Sequence, residues 1–464
     1  MSLFRFLPHL LVLCASSAHA VSPEFDWVAA GGGAKSDKTR AVAADSQGNV
    51  FLAGETSEEG TFGDAKRPTL GSTDFFLAKT SPEGKFLWVR SLGGSLVDRG
   101  YGVVADDKGN AYVTGHFQST DAQALGKALP NAGDYDIFVA KYDAGGDLLW
   151  IRTAGGKGYD YGHGIALDGK GDVVVAGSVA GEGKFGDALA NAGSTARAVF
   201  WAKYAPDGSL KWVKTTSGGF SGSGHGIVVD GQDNLYIGGS GGGSGKAGAV
   251  ELSTKGGQAA VVIKTSPDGE PVWASLVQGT PSAGFHELTV NAAGEATGVG
   301  MFKGALTVNG EAFQTGGDKD NDGFVVHFAA DGKPVWTRIL QGPGVDYCLG
   351  AAHGGDGRIY VTGEFSATAQ FAGQTLVSQG ATDIYTAAFD GRGHLEWLLP
   401  NGGSKGDNAY TLLWRPGALI LGGACAAPAE FGKKMMTSPA GAEAYSAKLR
   451  LPEAASQAKA RQNP

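Results

Sequence analysis

The sequence has little that cross-links, ligates or concentrates charge. Three cysteines in 464 residues are too few for a disulfide-built scaffold or a cysteine-ligated zinc site. The 38 basic residues are scattered among 46 acidic ones, for a formal net charge of -8. The chain therefore lacks the basic footprint that nucleic acid or an anionic membrane requires. Beyond the N-terminus no apolar run approaches the ~20 residues that span a bilayer, so a mature chain with no transmembrane segment is expected. No HExxH occurs, and the two GxSxG matches, GGSGG from Gly238 and GGSKG from Gly402, have no helical segment after them, which leaves no enzymatic motif. GGGSGKA at Gly241 to Ala247 has the wrong spacing for a phosphate loop and lacks its hydroxyl residue. What is abundant is glycine, 78 residues, beside 42% hydrophobic residues and nine tryptophans. That mixture describes a packed, turn-rich protein and excludes collagen-like or disordered chains.

The first twenty residues, MSLFRFLPHLLVLCASSAHA, join one early positive charge at Arg5 to an apolar stretch and to small residues at Ala18 and Ala20. This is a secretory pattern, so residues 1–20 are expected to be removed and the protein exported, to a periplasm, the cell surface or the medium. Only Cys348 and Cys425 then remain. An exported pair permits a disulfide, and their places at the start of one strand and near the end of another predict that they are bridged.

Internal repetition dominates the rest. Trp27, Trp88, Trp150, Trp212, Trp273, Trp336 and Trp397 are separated by 61, 62, 62, 61, 63 and 61 residues, and glycine stands six residues after each. A second glycine follows each of the first six tryptophans by 27 residues and the seventh by 26. Within a unit, DRGYGVVADDKGNAYVTGHF and DIFVAKYDAGGDLLWIRTAGG each read as two short strands around a turn. Four-stranded antiparallel sheets repeated seven times bury their faces by radial stacking. The expected fold is all-β, a seven-bladed β-propeller over residues 21–450, with a polar tail, 451–464, expected to be disordered. The mature chain begins with a last-strand sequence, FDWVAAGGG, and ends with three strands and no fourth, so the N-terminal strand should complete the last blade.

The unit from Thr362 to Trp397, TGEFSATAQFAGQTLVSQGATDIYTAAFDGRGHLEW, resembles the bacterial propeller repeats known as SBBP repeats, and copies such as DFFLAKTSPEGKFLW look alike. The resemblance implies an exported bacterial propeller of a largely uncharacterised family, and carries over no catalytic residue. SGGGSGKAGA replaces the usual loop in one unit, where the local architecture is expected to depart.

Three sets of residues are candidate sites. Position thirteen after the tryptophan holds Arg40, Tyr101, His163, His225, His286, Leu349 and Tyr410. Converging imidazoles could bind a metal or move protons, but the faces of propeller strands meet neighbouring blades, which favours packing. Asp37, Asp98, Asp160, Asp346 and Asp407 recur three residues earlier, either as a carboxylate ring binding a cation or cationic partner or as turn-forming residues. Asp318, Asp320 and Asp322, followed by Gly323, resemble the start of a calcium loop, although Ala329 at its twelfth position excludes an EF-hand. The leading expectation is an exported, monomeric, non-enzymatic propeller whose loops bind a protein or glycan at or beyond the cell envelope. The alternative is a lyase or hydrolase using His163, His225 and His286 with Tyr101.

Overall fold

The strands follow the β-branched and aromatic segments of the repeat. In the unit between Trp88 and Trp150 an inner strand, Asp98–Ala105, is followed by Ala111–Phe117, Asp136–Tyr142 and an outer strand, Leu148–Gly155. The two middle strands are buried along almost their whole length, which is why they read as continuous apolar runs rather than alternating ones. The first turn is fixed by Asp106, whose carboxylate accepts the backbone N–H groups of Lys108 and Asn110 at 3.0 and 2.9 Å, an Asx turn. The computed structural model describes residues 22–452 except 34, 58, 68–69, 192, 194–196, 318–320 and 438–441. Within them all regular structure is β, and no helix is long and apolar enough to cross a membrane.

Each outer strand also receives a small hairpin from the loop of the next unit. Glu182–Phe185 and Ala188–Asn191, for example, extend the sheet that ends in Leu148–Gly155. The glycine-rich loop does the same: Ser244–Ala247 and Val250–Ser253 pair onto Leu210–Gly218. Its expected departure is thus one of sequence, not of architecture.

The sheets number six, one fewer than the repeat predicts. Five contain four strands and a hairpin, whereas the sixth has ten strands, nine in its main path and one that branches from it. The cause is Pro271–Val290, which runs without a break from the outer strand of one unit into the inner strand of the next. That unit lacks the aspartate that five units carry at this position, having Ala283 in its place.

Neighbouring units are locked by the repeat tryptophans. Trp27, Trp88, Trp150 and Trp336 each donate their indole N–H to a carbonyl in the turn of the following unit, at 2.9, 3.2, 3.0 and 3.3 Å. The ring lies against a turn glycine of positive φ. A Cβ on Gly208 (φ 82°) would fall 2.7 Å from Trp150, so glycine serves both the turn and the packing.

The two ends of the chain meet. Glu24–Gly32 pairs antiparallel with Ala442–Arg450, from Glu24 opposite Arg450 to Gly31 opposite Ala444. The N-terminal strand is therefore the fourth strand of the C-terminal sheet. A single apolar cluster then joins Val42, Leu52 and Phe62 to Ile420 and Ala444.

Candidate functional site

The inner strands share one irregularity. In every unit the register slips by one residue at position thirteen after the tryptophan, leaving Arg40, Tyr101, His163, His225, His286, Leu349 and Tyr410 without a partner in the ladder. A bulge re-aims its extra side chain. These residues, Leu349 excepted, line a cavity of about 360 Å3 enclosed by the inner strands. They border the cavity because regular strand alternation does not hold at a bulge, and they also pack between units, the rings of Tyr101 and His163 lying 4.8 Å apart and those of His163 and His225 5.2 Å. Small residues make room beside them. A Cβ on Gly164 would lie 2.6 Å from the Ile227 nitrogen in the next unit, so backbone approaches backbone where the strands crowd together.

Two histidines have a fixed tautomer. His163 and His286 donate from Nδ1 to the carbonyls of Gly224 and Leu349, at 3.1 and 2.9 Å. A carbonyl only accepts, so the proton sits on Nδ1 and Nε2 carries the lone pair. Burial, followed by the neighbouring His225, pushes His163 down to about 3. Burial likewise takes His225 and His286 to about 4. All three are neutral imidazoles near pH 7.

A second cavity, of about 600 Å3, shares Tyr101, His163 and His225 with the first. Its walls add Arg99, His116, Tyr135, Tyr161 and Arg197. The aromatic rings are contiguous: His116 stacks on Tyr101 at 5.0 Å and meets Tyr161 edge-on at 4.7 Å, and Tyr161 stacks on His163 at 5.7 Å. His116 is 2% exposed and its Nδ1 has no hydrogen-bond partner. Burial and then His163 hold its pKa well below the ordinary value.

Positive charge gathers around these rings in a chain that is acidic overall. Glu55 pairs with Lys38, Arg40 and Arg99 at 3.5, 2.9 and 2.8 Å. Burial alone would raise its pKa, but the three cations outweigh burial and keep Glu55 ionised. Arg40 also lies between the rings of Tyr101 and Tyr410, 5.2 and 5.0 Å from their centroids, a cation–π contact on each side. Arg197 stands 4.8 Å over Tyr161. Glu364, equivalent to Glu55 in another unit, is driven by burial to about 7, so it offsets only part of this charge.

Sequence reasoning missed Glu55, His116 and Glu364. Each follows the second register glycine by one residue, so the signal was a polar residue in an otherwise apolar strand, at the position beside the bulge. It also missed Arg99, Tyr135 and Arg197, which the repeat does not mark.

The five aspartates do not form an exposed ring. Asp37, Asp98, Asp160, Asp346 and Asp407 are all 0% exposed. They stitch backbone together: Asp160 accepts the N–H groups of Gly156 and Ala180, both at 2.7 Å, and Asp37 those of Gly33 and Ser57 at 2.6 and 2.8 Å. Asp98, Asp346 and Asp407 make equivalent bonds to Gln118, Ser366 and Ala426. Where Gly222 and Ala283 replace the aspartate, the strand ladder itself continues through the position. Burial raises Asp37 to about 6.

Asp318 and Asp320 lie outside the described residues. Asp322 is fully buried and accepts the Gly316 N–H at 2.8 Å, a structural task shared with its repeat equivalents Asp74 and Asp383. Among the described residues no group of three histidine, cysteine or acidic side chains is arranged to hold a metal.

The expected disulfide is not formed. Cys348 and Cys425 are both free and buried. They belong to different apolar clusters, and Cys348 Sγ instead accepts a hydrogen bond from the Tyr385 hydroxyl at 2.9 Å. Places at the start of one strand and near the end of another do not fix the Cα separation, which is what a bridge requires.

An uncharacterized WD repeat-containing protein of Acanthamoeba polyphaga mimivirus is 25% identical over 114 residues, which is 23% of this chain and only 8% of that protein. A protein of unknown function from Dyadobacter fermentans aligns over 93% of this chain and 98% of its own, at 9% identity and a TM-score of 0.41. Another from Bacteroides caccae aligns over 68% and 93%, at 12% identity and a TM-score of 0.31. Residues 87–116 match the family model described as the SBBP β-propeller repeat, and it is this repeat that the chain carries.

Proposed function

We propose that the chain is an exported seven-bladed β-propeller that binds a glycan or protein partner at the mouth of its central tunnel without reacting with it. Seven blades follow when the ten-stranded sheet is counted as two units joined by the unbroken strand Pro271–Val290 and the other five sheets as one unit each. Export rests on the secretory pattern of residues 1–20.

The observation that carries the binding reading is the state of the tunnel histidines. A general base works best with a pKa near the operating pH, whereas His163, His225 and His286 are held at about 3 to 4. His163 and His286 further commit Nδ1 to backbone carbonyls. Such imidazoles present Nε2 lone pairs as hydrogen-bond acceptors and are weak bases. Tyrosine, histidine and arginine around a concave opening suit recognition of a polar, ring-containing partner.

The test is a glycan array probed with the mature protein and with a Tyr101→Ala, His225→Ala variant of unchanged fold. Binding by the former and its loss in the latter is expected. Time-dependent release of new reducing ends from any bound glycan would instead make the protein a lyase or hydrolase.

A further inference from the structure

We propose that the wider end of the tunnel, between Arg99, Tyr135, Tyr161 and Arg197, is a subsite for a uronate, a pyranose that bears a carboxylate. The inference rests on the binding reading above and gives its partner a chemical class.

Charge points first to an anion. Three cations share Glu55, and a fourth, Arg197, makes no ion pair with any described carboxylate. Arg99 and Arg197 border this opening and Arg40 the adjoining cavity, in a chain whose net charge is -8, which disfavours a long polyanion lying across the whole surface. The cations bordering this cavity are arginines, Arg99 and Arg197, with no lysine among its walls. Guanidinium matches the two oxygens of a carboxylate with two parallel hydrogen bonds.

The rest of the wall matches a sugar ring. Tyr135 lies 5.5 Å from Tyr159 and 5.7 Å from Tyr161, giving a run of aromatic surface on which the C–H face of a pyranose can lie while the phenol groups stay polar. His116 brings a buried, neutral ring whose Nδ1 has no partner, an unfilled hydrogen-bonding position. Ser221, Ser240 and Gln258 on the opposite wall supply donors and acceptors for hydroxyl groups. The volume, about 600 Å3, falls in the range of sites that enclose a small ligand.

Calorimetry on the mature protein decides it, using short oligomers of galacturonate, glucuronate and mannuronate, each beside its methyl ester, and inorganic phosphate. At least one acid oligomer should bind at least tenfold tighter than its ester. Arg197→Gln should weaken it about tenfold with the melting temperature unchanged, and Arg99→Gln should weaken it similarly while lowering the melting temperature, because it also removes an ion-pair partner of Glu55. Tyr161→Ala should weaken acid and ester together, while Tyr161→Phe, which keeps the ring, should bind like the parent. Equal binding of acid and ester, phosphate binding as tight as any oligomer, or no binding by the whole panel at millimolar concentrations overturns the uronate. A glycan array with only neutral hits also overturns it, yet leaves the broader binding reading standing, so the two failures are distinguishable.

Discussion

At the scale of single residues, one slipped hydrogen bond changes what a side chain is for. His225 would face a neighbouring sheet in a regular strand, but as a bulged residue it borders the cavity between the inner strands. Burial, with a smaller push from Arg197, lowers its pKa from 6.5 to about 4. A depressed histidine contributes stability that is present above the unfolded-state value and lost as pH falls below it. The unfolded chain takes up a proton near pH 6.5 and the folded chain does not until about pH 4. Between pH 7.5 and pH 5 this one residue should therefore cost about 2 kcal/mol. Urea unfolding at the two pH values should show that His225→Asn loses about that much less stability on acidification than the parent. An identical loss in both proteins would mean that His225 titrates freely in the folded state. The cysteines make a second residue-scale prediction. The unfolded, unreduced protein should bind two equivalents of thiol reagent, at Cys348 and Cys425, and zero equivalents would restore the bridge that the structure lacks.

At the scale of elements, the repeat works by handing a tryptophan to the next unit's turn. Trp150 caps the turn at Gly208 through both its ring and its N–H, and Arg152 adds a bond to the Gly208 carbonyl at 2.9 Å. Gly208→Ala meets two penalties, the left-handed backbone at φ 82° and a methyl 2.7 Å from the indole. Gly171 has nearly the same φ, 79°, but nothing within 4 Å. Urea melts should place Gly171→Ala about 1 kcal/mol below the parent and Gly208→Ala about 2–4 kcal/mol below it. Equal losses would show that the turn alone, not the contact between units, demands glycine. This interlock also explains what the sequence made legible. Spacing of tryptophan and glycine reports strands, turns and their pairing, because those depend on residues that every unit repeats. The bulge was invisible, since a one-residue slip leaves the spacing unaltered, and the histidines were consequently assigned to packing. Arg99, Tyr135 and Arg197 were illegible for the opposite reason: they are peculiar to one or two units, and a repeat analysis averages such residues away.

At the scale of the whole molecule, the ends of the chain matter more than their length suggests. Every inner strand packs against the next, the last against the first, and at that same junction Glu24–Gly32 adds to Ala442–Arg450. Opening at this seam exposes the cluster of Val42, Phe62, Ile420 and Ala444, so deletion of residues 21–33 should lower the melting temperature of the entire protein rather than loosen one edge. A covalent clasp tests the same seam in the other direction. Glu24 and Arg450 lie opposite each other in the register, are bridged at 3.1 Å, and have side chains 51% and 59% exposed, so cysteines there disturb no core. The free cysteines Cys348 and Cys425 are buried and stay out of the way. A Glu24→Cys, Arg450→Cys disulfide encloses nearly the whole folded chain, for which loop-closure entropy sets a ceiling of about 6 kcal/mol. Unfolding entropy grows with chain length, so for a protein of this size each kcal/mol moves the midpoint by only about 1 °C. The oxidised protein should melt a few degrees above the same protein reduced, and to the same extent at every protein concentration. Identical melting of the two forms would mean that unfolding begins at another junction between sheets, and that the strand shared by the two ends is not the weak point of the ring.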